Sequence, residues 1–276
     1  MYNVTTELKK NKKLRTTILD NINFKAFNTS DHNSYYSSSN PSHSFLGTVY
    51  EVCLFIQKIK FEKDSYRISQ LNSNRGYSIL RSVDLSSVDK KTSRKVRAWI
   101  KQYNSSIRIL VDLVRGYSVS SKKVVNAILF ISFISLFREP KQIFYFKPKY
   151  NSSDFSETKK FLKSIDKKFV KSLFKNERKV SFNQLITAGY LAGEIDILSS
   201  SRIIDIKTVN SSRFTNDMII QLVLYYFLAR QNEIYIKDLS ILFSKFGHLE
   251  TINTKKLFKK KGKKKILKRL EKDYYI

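Results

Sequence analysis

The sequence contains few cysteines, few acidic residues and no long apolar run. Its single cysteine, Cys53, excludes an internal disulfide framework and any zinc or iron–sulfur site that needs four cysteines. The longest apolar run, residues 124–137, is too short for a bilayer span of about 20 residues, and Asn126 and two serines interrupt it. We therefore expect a buried helix there and no integration in a membrane.

Acidic residues are heavily outnumbered, with 23 Asp and Glu against 52 Lys and Arg and a formal net charge of +29. Such a surface favours polyanionic partners, either nucleic acid or acidic lipid. Alternatively, part of this charge simply follows from a bias in the composition of the whole sequence toward Lys, Asn, Ile and Ser. The first 20 residues have no apolar segment of the kind a secretory signal needs. An intracellular location, cytoplasmic or nucleoid-like, is therefore expected, with organelle import left open.

The pattern divides the chain into zones. Residues 1–44 are predicted to be a flexible N-terminal segment, because 27–44 are polar and rich in turn formers. Helical spacing of apolar residues predicts a helix over 45–60, and about 63–175 are predicted to form a mostly helical insertion. The core containing this insertion is expected to span 45–250, which suits one large domain.

Beyond the helical zone the pattern changes to strands. The stretches KVSFNQLIT, YLAGEIDIL and RIIDIKT have the β-branched, alternating character of strands. A helix at about 216–230 and a further strand in EIYIKDLSILF follow. No internal repeat is present. These elements together predict an α/β protein.

Two aspartates interrupt the apolar hairpin GEIDILSSSRIIDIKT. A tight turn among its serines sets Leu198 opposite Ile203 and Asp196 opposite Asp205, with Lys207 on the same face as Asp205. Opposed carboxylates with Cβ atoms about 4.5–5.5 Å apart destabilise a sheet. A divalent cation would compensate, whereas Lys207 alone would do so only in part. The alternative is a solvent-facing hairpin in which Lys207 bridges two surface aspartates.

Four short motifs occur in order along the chain: LGTVYE, GEID, IIDIKT and a helix with QLVLYY. In this order they resemble the motifs of the PD-(D/E)XK nuclease superfamily, in particular its RecB-like exonuclease branch. The resemblance covers residues 45–56 and 190–230 and hardly touches the middle third. The residues at the motif positions are Glu51, Asp196, Asp205, Lys207, Gln221 and Tyr225.

The resemblance implies a restriction-endonuclease-like core, which is a mixed central sheet flanked by helices, with a large helical insertion. It also implies Mg²⁺ or Mn²⁺, held by the carboxylates of Glu51, Asp196 and Asp205 and by the backbone carbonyl of Ile206. Lys207 is expected to orient the attacking water or to help deprotonate it. Hard oxygen ligands of this kind are what these ions prefer.

The helix with QLVLYY has an alternative role, and the sequence departs from the family pattern at two points. Gln221 and Tyr225 are four residues apart and can both point at the site, and their alternative role is packing in an apolar, buried helix. Many relatives carry four cysteines for an iron–sulfur cluster, which this chain cannot do. Glu51 replaces the usual histidine, which keeps an oxygen ligand but makes the site more negative.

The function expected from the resemblance is a metal-dependent deoxyribonuclease, an exonuclease or single-strand-preferring nuclease of DNA processing, repair or defence. A sequence-specific or defence endonuclease is one alternative. A non-catalytic nucleic-acid-binding protein on the same fold is another. The expected partner is DNA, as single strands or duplex ends, with RNA as an alternative substrate and no membrane. The oligomeric state is left open.

Residues 251–276 are predicted to be a basic C-terminal tail. Within 255–275 there are eleven Lys and Arg but only two Asp and Glu. Such a run binds phosphates without sequence preference, unless it is merely solvated. The apolar residues Ile266, Leu267 and Leu270 favour a different structure, a terminal helix docked on the core.

A second basic stretch, KKTSRKVRAWIKQY, contains two aromatic residues. Trp99 and Tyr103 are four residues apart and share a helix face. Stacking on unpaired bases is one use for them, and core packing is the favoured use for Trp99.

Overall fold

The computed structural model describes residues 2–23, 43–64, 67, 68, 71, 74–175, 177 and 179–276. These residues fall into two compact units. The first, here called the sheet unit, lies within Met1–Tyr35 and Phe174–Ile276. The second, the helical unit, lies within Tyr36–Leu173.

The sheet unit is α/β and the helical unit is all-helical. The strands are β1 Tyr2–Asn3, β2 Val180–Ala188, β3 Leu191–Ser199, β4 Arg202–Lys207, β5 Asp238–Phe243 and β6 His248–Asn253. The helices of the sheet unit are α1 Val4–Lys10, α2 Lys12–Asn21, α10 Asn216–Gln231, α11 Thr254–Leu257 and α12 Gly262–Tyr274. Those of the helical unit are α3 His43–Glu62, α4 Arg75–Arg81, α5 Lys90–Val114, α6 Ser121–Ser135, α7 Gln142–Tyr145, α8 Ser152–Ser164 and α9 Lys167–Leu173.

A mixed six-stranded sheet forms the centre of the sheet unit. The strand β3 pairs antiparallel with β2, antiparallel with β4 near its end, and parallel with β1 near its start. The strand β4 pairs in parallel with β5, and β5 pairs antiparallel with β6. The expected class, α/β with a mixed sheet flanked by helices, is therefore confirmed. The short strands β1 and β6 were not expected from the sequence.

The parallel pair β4 and β5 needs a crossover, and α10 supplies it. Thr215 caps this helix by accepting a hydrogen bond from the N–H of Met218 at 3.3 Å. Every residue of 218–229 except Gln221 is buried. The helix is thus almost wholly interior, as its apolar sequence predicts, and Gln221 is the polar exception.

The prediction of a flexible N-terminal segment is wrong for residues 2–23. Helices α1 and α2, together with the residue that follows α2, pack into the core of the sheet unit through Val4, Leu14, Ile18 and Ile22, each at most 1% exposed. The last three recur every four residues, a helical spacing that the polar surroundings hide. The rest of the predicted segment, 24–42, lies outside the described residues.

The basic C-terminal stretch is a docked helix, the second of the two structures considered for it. Ile266, Leu270 and Tyr274 of α12 are buried in the core, while most of the lysines lie on the exposed side. The phenol of Tyr274 donates a hydrogen bond to Glu7 Oε2 at 2.7 Å. A Cβ on Gly262 would come within 2.3 Å of the carbonyl oxygen of Asn21, so glycine is needed where α12 meets α2. The two ends of the chain therefore pack together in one unit.

The helical unit has a core of its own around α6, which is buried almost throughout as expected. Trp99 lies 5.4 Å from Phe133, centroid to centroid, and the hydroxyl of Tyr103 donates to the Leu71 carbonyl at 2.7 Å. Both aromatics of α5 are therefore core residues, as favoured for Trp99. None of the helices among the described residues is long and apolar enough to cross a membrane.

The expected boundary of the insertion is wrong on its N-terminal side. The predicted helix at 45–60 is confirmed as α3, but it belongs to the helical unit rather than to the sheet unit. Its apolar side packs on α6 and α8, with Tyr50 and Phe161 edge to face at 5.0 Å. The sequence shows that α3 is apolar, and only the fold decides which helices cover it.

Candidate active site

The hairpin of β3 and β4 supports the candidate site, and its predicted register is confirmed. Ile197 pairs with Ile204, and Leu198 pairs with Ile203. The turn is short, and its base is closed by the N–H of Arg202, which donates to the hydroxyl of Ser199 at 3.0 Å. Apolar residues that alternate on both sides of this turn explain the register.

Beyond Ile197 and Ile204 the predicted backbone pairing of Asp196 with Asp205 does not form. The ladder between β3 and β4 ends at these two isoleucines. The carboxylate of Asp196 instead accepts the N–H of Ile206, with Oδ2 at 2.6 Å from the nitrogen. A side chain thus replaces the backbone partner where the two strands separate.

The strand β3 is irregular at Asp196. Ile195 and Leu198 both belong to the same core cluster, although strict alternation would place residues three apart on opposite faces. The ladder with β2 pairs residues on both sides of this point but omits Asp196 and Asn183, and Asn183 has a φ of +51°. Asp196 therefore lies where regular pairing with both neighbouring strands stops.

The other predicted residues of the sheet unit form one polar chain. Lys207 Nζ lies 2.6 Å from Asp205 Oδ2 and donates a hydrogen bond to Gln221 Oε1 at 2.9 Å. The amide of Gln221 in turn donates from Nε2 to the hydroxyl of Tyr225 at 2.8 Å. The expected common face of Asp205 and Lys207 is therefore confirmed. The structure also brings Gln221 and Tyr225 of α10 to this face.

Gly193 allows Tyr225 to approach the sheet. A Cβ at this position would lie 2.7 Å from Cε1 of Tyr225 and 3.0 Å from Cδ1 of Leu228. The glycine of GEID is therefore needed so that α10 can pack closely on β3. A glycine inside an otherwise regular strand is the sequence signal for such an approach.

The charges of the site act on one another through a partly desolvated interior. Burial and the neighbouring Asp205 carboxylate hold the pKa of Asp196 well above its usual range. Burial lowers the pKa of Lys207, but Asp205 and Asp196 raise it more, so this pKa lies above its usual value. Burial and the same two carboxylates raise the pKa of Tyr225. Lys207 is therefore an ammonium ion and Tyr225 a neutral phenol at neutral pH.

Two carboxylates and one backbone oxygen are the groups that could hold a metal ion. Asp196 and Asp205 face a single lysine between them, so the group carries excess negative charge. The N–H of Ile206 points at Asp196, and in a strand the carbonyl of the same residue points to the same edge. These hard oxygens suit Mg²⁺ or Mn²⁺. Within the described part of the chain, no group of three or more His, Cys, Asp or Glu side chains is arranged to hold a metal ion.

Glu51, the third predicted carboxylate, is buried in α3 and belongs to the helical unit. Its role as a ligand stays a prediction. One residue that sequence analysis missed is Lys245, which is 1% exposed and donates to Asn210 Oδ1 at 2.7 Å. It follows Ser244, whose N–H donates to the carbonyl of Lys207 at 3.0 Å. A lysine two residues after an apolar strand was the available signal.

Comparison with protein-family models, with curated proteins and with solved structures gave no match to this chain. The geometry of the site and the motifs of the sequence therefore carry the functional argument.

Proposed function

We propose that the protein is a metal-dependent deoxyribonuclease that hydrolyses phosphodiester bonds, on a core of the PD-(D/E)XK type. One observation carries the proposal. Five of the six residues at the motif positions, drawn from β3, β4 and α10, lie in one group of charges and hydrogen bonds in the sheet unit. They are Asp196, Asp205, Lys207, Gln221 and Tyr225. Polar groups placed in an apolar interior are costly, so their presence there favours a chemical role over a structural one.

The carboxylates of Asp196 and Asp205 and the carbonyl of Ile206 would hold Mg²⁺ or Mn²⁺. A bound ion would supply an activated water and neutralise charge on the scissile phosphate. The hydrogen bond from the N–H of Ile206 fixes the orientation of the Asp196 carboxylate. Lys207 fixes Asp205 in the same way.

Lys207 would orient the attacking water or help to deprotonate it. In the metal-free protein Asp205 and Asp196 raise its pKa and keep it an ammonium ion, and a divalent ion bound to these two carboxylates would offset their charge and weaken that effect. The ammonium can orient a water molecule or offset charge on a phosphate oxygen. Gln221 Oε1 accepts a hydrogen bond from Lys207, and the hydroxyl of Tyr225 accepts one from Gln221 Nε2. Gln221 and Tyr225 are thus positioning residues for the lysine.

The test is a digestion assay on labelled DNA in Mg²⁺, Mn²⁺ or EDTA. Circular and linear, single- and double-stranded DNA are supplied separately, with single-stranded RNA as a further substrate. We expect cleavage only with metal, and a fall of about 10²–10⁴-fold for Lys207→Ala. Asp205→Asn, which keeps the shape of the side chain, should lose cleavage as well. Digestion of circular substrates would identify an endonuclease rather than an exonuclease.

The matched controls are Asp20→Asn and Lys237→Ala, which remove the same charges from exposed positions of the sheet unit. Both should cleave at the wild-type rate at saturating DNA, and all variants should keep the far-UV circular dichroism of the wild type. Wild-type cleavage by Asp205→Asn or Lys207→Ala would disprove the site. Salt-dependent DNA binding without cleavage in any metal would favour the non-catalytic alternative.

A further inference from the structure

Three consecutive aromatic side chains of the helical unit are exposed. Phe144, Tyr145 and Phe146, at the end of α7 and just after it, are 44%, 83% and 49% exposed. The preceding Ile143 is fully buried and anchors the segment. Adjacent exposed rings are unfavourable in water and mark surfaces that a partner covers.

Lys95 of α5 holds this aromatic segment at both ends. Its Nζ donates to the carbonyl of Ile143 at 2.6 Å and to that of Phe146 at 3.0 Å. The same ammonium lies 4.5 Å from the centroid of the Trp99 ring, which is itself buried. The segment is therefore fixed on α5 before any partner binds, which reduces the entropy cost of binding.

Positive charge surrounds the aromatic segment. Lys147 and Lys149 follow it directly and are exposed. Lys91 lies one helical turn before Lys95 on α5. The pKa of Lys95 is lowered by burial and then by the charges of Lys147 and Lys91. A partner for the rings must therefore tolerate or require several neighbouring cations.

The exposed face of α5 extends this positive charge along the helical unit. The helix contains seven basic residues and one acidic residue, Asp112. Five of its exposed basic residues recur at helical spacing, within about 60° of arc at 100° per residue. They are Lys90, Arg94, Arg97, Lys101 and Arg108. The opposite face carries Trp99 and Tyr103 into the core, so this stripe is held by packing.

We propose that the aromatic segment 144–146 and the basic stripe of α5 form a binding surface for single-stranded nucleic acid. Exposed rings stack on unpaired bases, and a track of cations binds the phosphates. A duplex hides the faces of its bases and would leave the rings without a partner. A membrane-binding helix would present its apolar face, whereas the apolar face of α5 is buried. The inference takes one point from the proposed function, namely that the ligand is a nucleic acid.

The test measures binding separately from cleavage. The full chain carrying Asp205→Asn, in EDTA, is titrated against fluorescent single-stranded DNA, single-stranded RNA and the matching DNA duplex. Adding Phe144→Ala and Tyr145→Ala should weaken single-strand binding about tenfold or more for each ring that stacks. Duplex binding should not change. Phe146 is retained because its ring centroid lies 6.3 Å from that of Phe137, and its loss could disturb packing.

Three control variants separate stacking from other effects. Phe144→Leu with Tyr145→Leu keeps apolar area without a ring and should lose single-strand binding, whereas Phe144→Trp with Tyr145→Trp should restore it. Tyr117→Ala removes another exposed ring of the helical unit, 63% exposed, and should bind like its parent. Equal losses on duplex and single strands, or no loss, would overturn the proposal. So would ring-dependent binding to phosphatidylserine vesicles in place of nucleic acid.

The stripe is tested by Arg97→Ser with Lys101→Ser in the same background. For every phosphate that is no longer bound, the slope of log affinity against log salt should fall by about 0.7 on single strands. An unchanged slope would show that α5 is not part of the binding surface.

The outcomes for cleavage and for binding are independent of each other. If the wild type cleaves no substrate but the ring variants still lose single-strand binding, the nuclease assignment fails and the binding surface stands. If the wild type cleaves and the ring variants bind normally, the nuclease assignment stands and the binding surface fails.

Discussion

The charged side chains of the candidate site are buried (Asp205) or half-buried (Asp196 and Lys207) in the sheet unit, whereas the stripe cations of α5 are exposed on the surface of the helical unit. In the first, Asp205 is 1% exposed and contacts Lys207, which is held in turn by Gln221. In the second, the stripe side chains project outward from a helix whose other face is core. Both units belong to one strongly basic chain, yet they use charge in different ways.

The difference follows from what each surface has to do. Burying a charge costs several kcal/mol unless a partner offsets it, so an interior group of charges needs a fixed framework of strands and helix. A binding surface for a polyanion needs its cations in water, where long-range attraction guides the ligand. The sheet unit is therefore expected to be sensitive to changes of side-chain geometry. The helical unit is expected to tolerate surface changes while depending on its core.

The first prediction tests the core of the helical unit and has the greatest expected change in stability. Phe133 is 7% exposed and meets Trp99 edge to face, so Phe133→Ala should lower the free energy of unfolding by about 3–5 kcal/mol. Trp99 is the only tryptophan, so its fluorescence during urea unfolding reports on the helical unit. Arg97→Ala on the exposed face of α5 is the control and should leave the midpoint unchanged. Similar losses for both variants would contradict the division between core and stripe.

The second prediction concerns the C-terminal helix of the sheet unit. Leu270 of α12 is fully buried, so Leu270→Ala should lower the free energy of unfolding by about 2–5 kcal/mol. Deletion of residues 255–276 should lower stability further and reduce DNA binding and cleavage together. Lys268→Ala, on the exposed side of the same helix, is the matched control for a thermal melt. A deletion that only flattens the salt dependence of binding would restore the view of a free basic tail.

The third prediction tests the close approach of α10 to β3. Gly193→Ala places a Cβ 2.7 Å from the ring of Tyr225 and should cost about 1–3 kcal/mol of stability. Cleavage should fall more than stability accounts for, because displacing Tyr225 loosens Gln221 and Lys207. The double variant Gly193→Ala with Tyr225→Leu, compared with Tyr225→Leu alone, should show a smaller cost. An equal cost in both backgrounds would mean that the glycine matters for the backbone only.

The smallest effect, and one of opposite sign, is expected at Asp196. Asp196→Asn removes one of two neighbouring carboxylates and keeps an oxygen to accept the N–H of Ile206. The metal-free protein at pH 8 should gain about 1–2 kcal/mol of stability, while cleavage is lost. Thermal melts in EDTA provide the measurement, with Asp20→Asn as the surface control. A lower melting temperature for Asp196→Asn would show that the two aspartates do not repel each other.

Much of the sheet unit could be predicted from the sequence because its signals are local. The alternation around the serine turn determined the pairing of Leu198 with Ile203, and the apolar run of α10 determined a buried helix. The same alternation failed at Asp196, where a side chain replaces a backbone partner. The shared face of Asp205 and Lys207 followed from the period of a strand and is confirmed. Such periodicities depend only on neighbours in the chain.

Contacts between distant segments could not be predicted and are known from the structure alone. The sequence was enough to predict an α/β protein with a strong positive charge, a strand hairpin bearing two aspartates, and helices in the middle third. It did not show that Val4 and Leu14 enter the core of the sheet unit, or that α12 packs beside α2. It also did not show that Gln221 would reach Lys207, or that the aromatic segment after Ile143 would be held by Lys95. Contacts of this kind depend on burying apolar area between segments far apart in the chain, which no local pattern records.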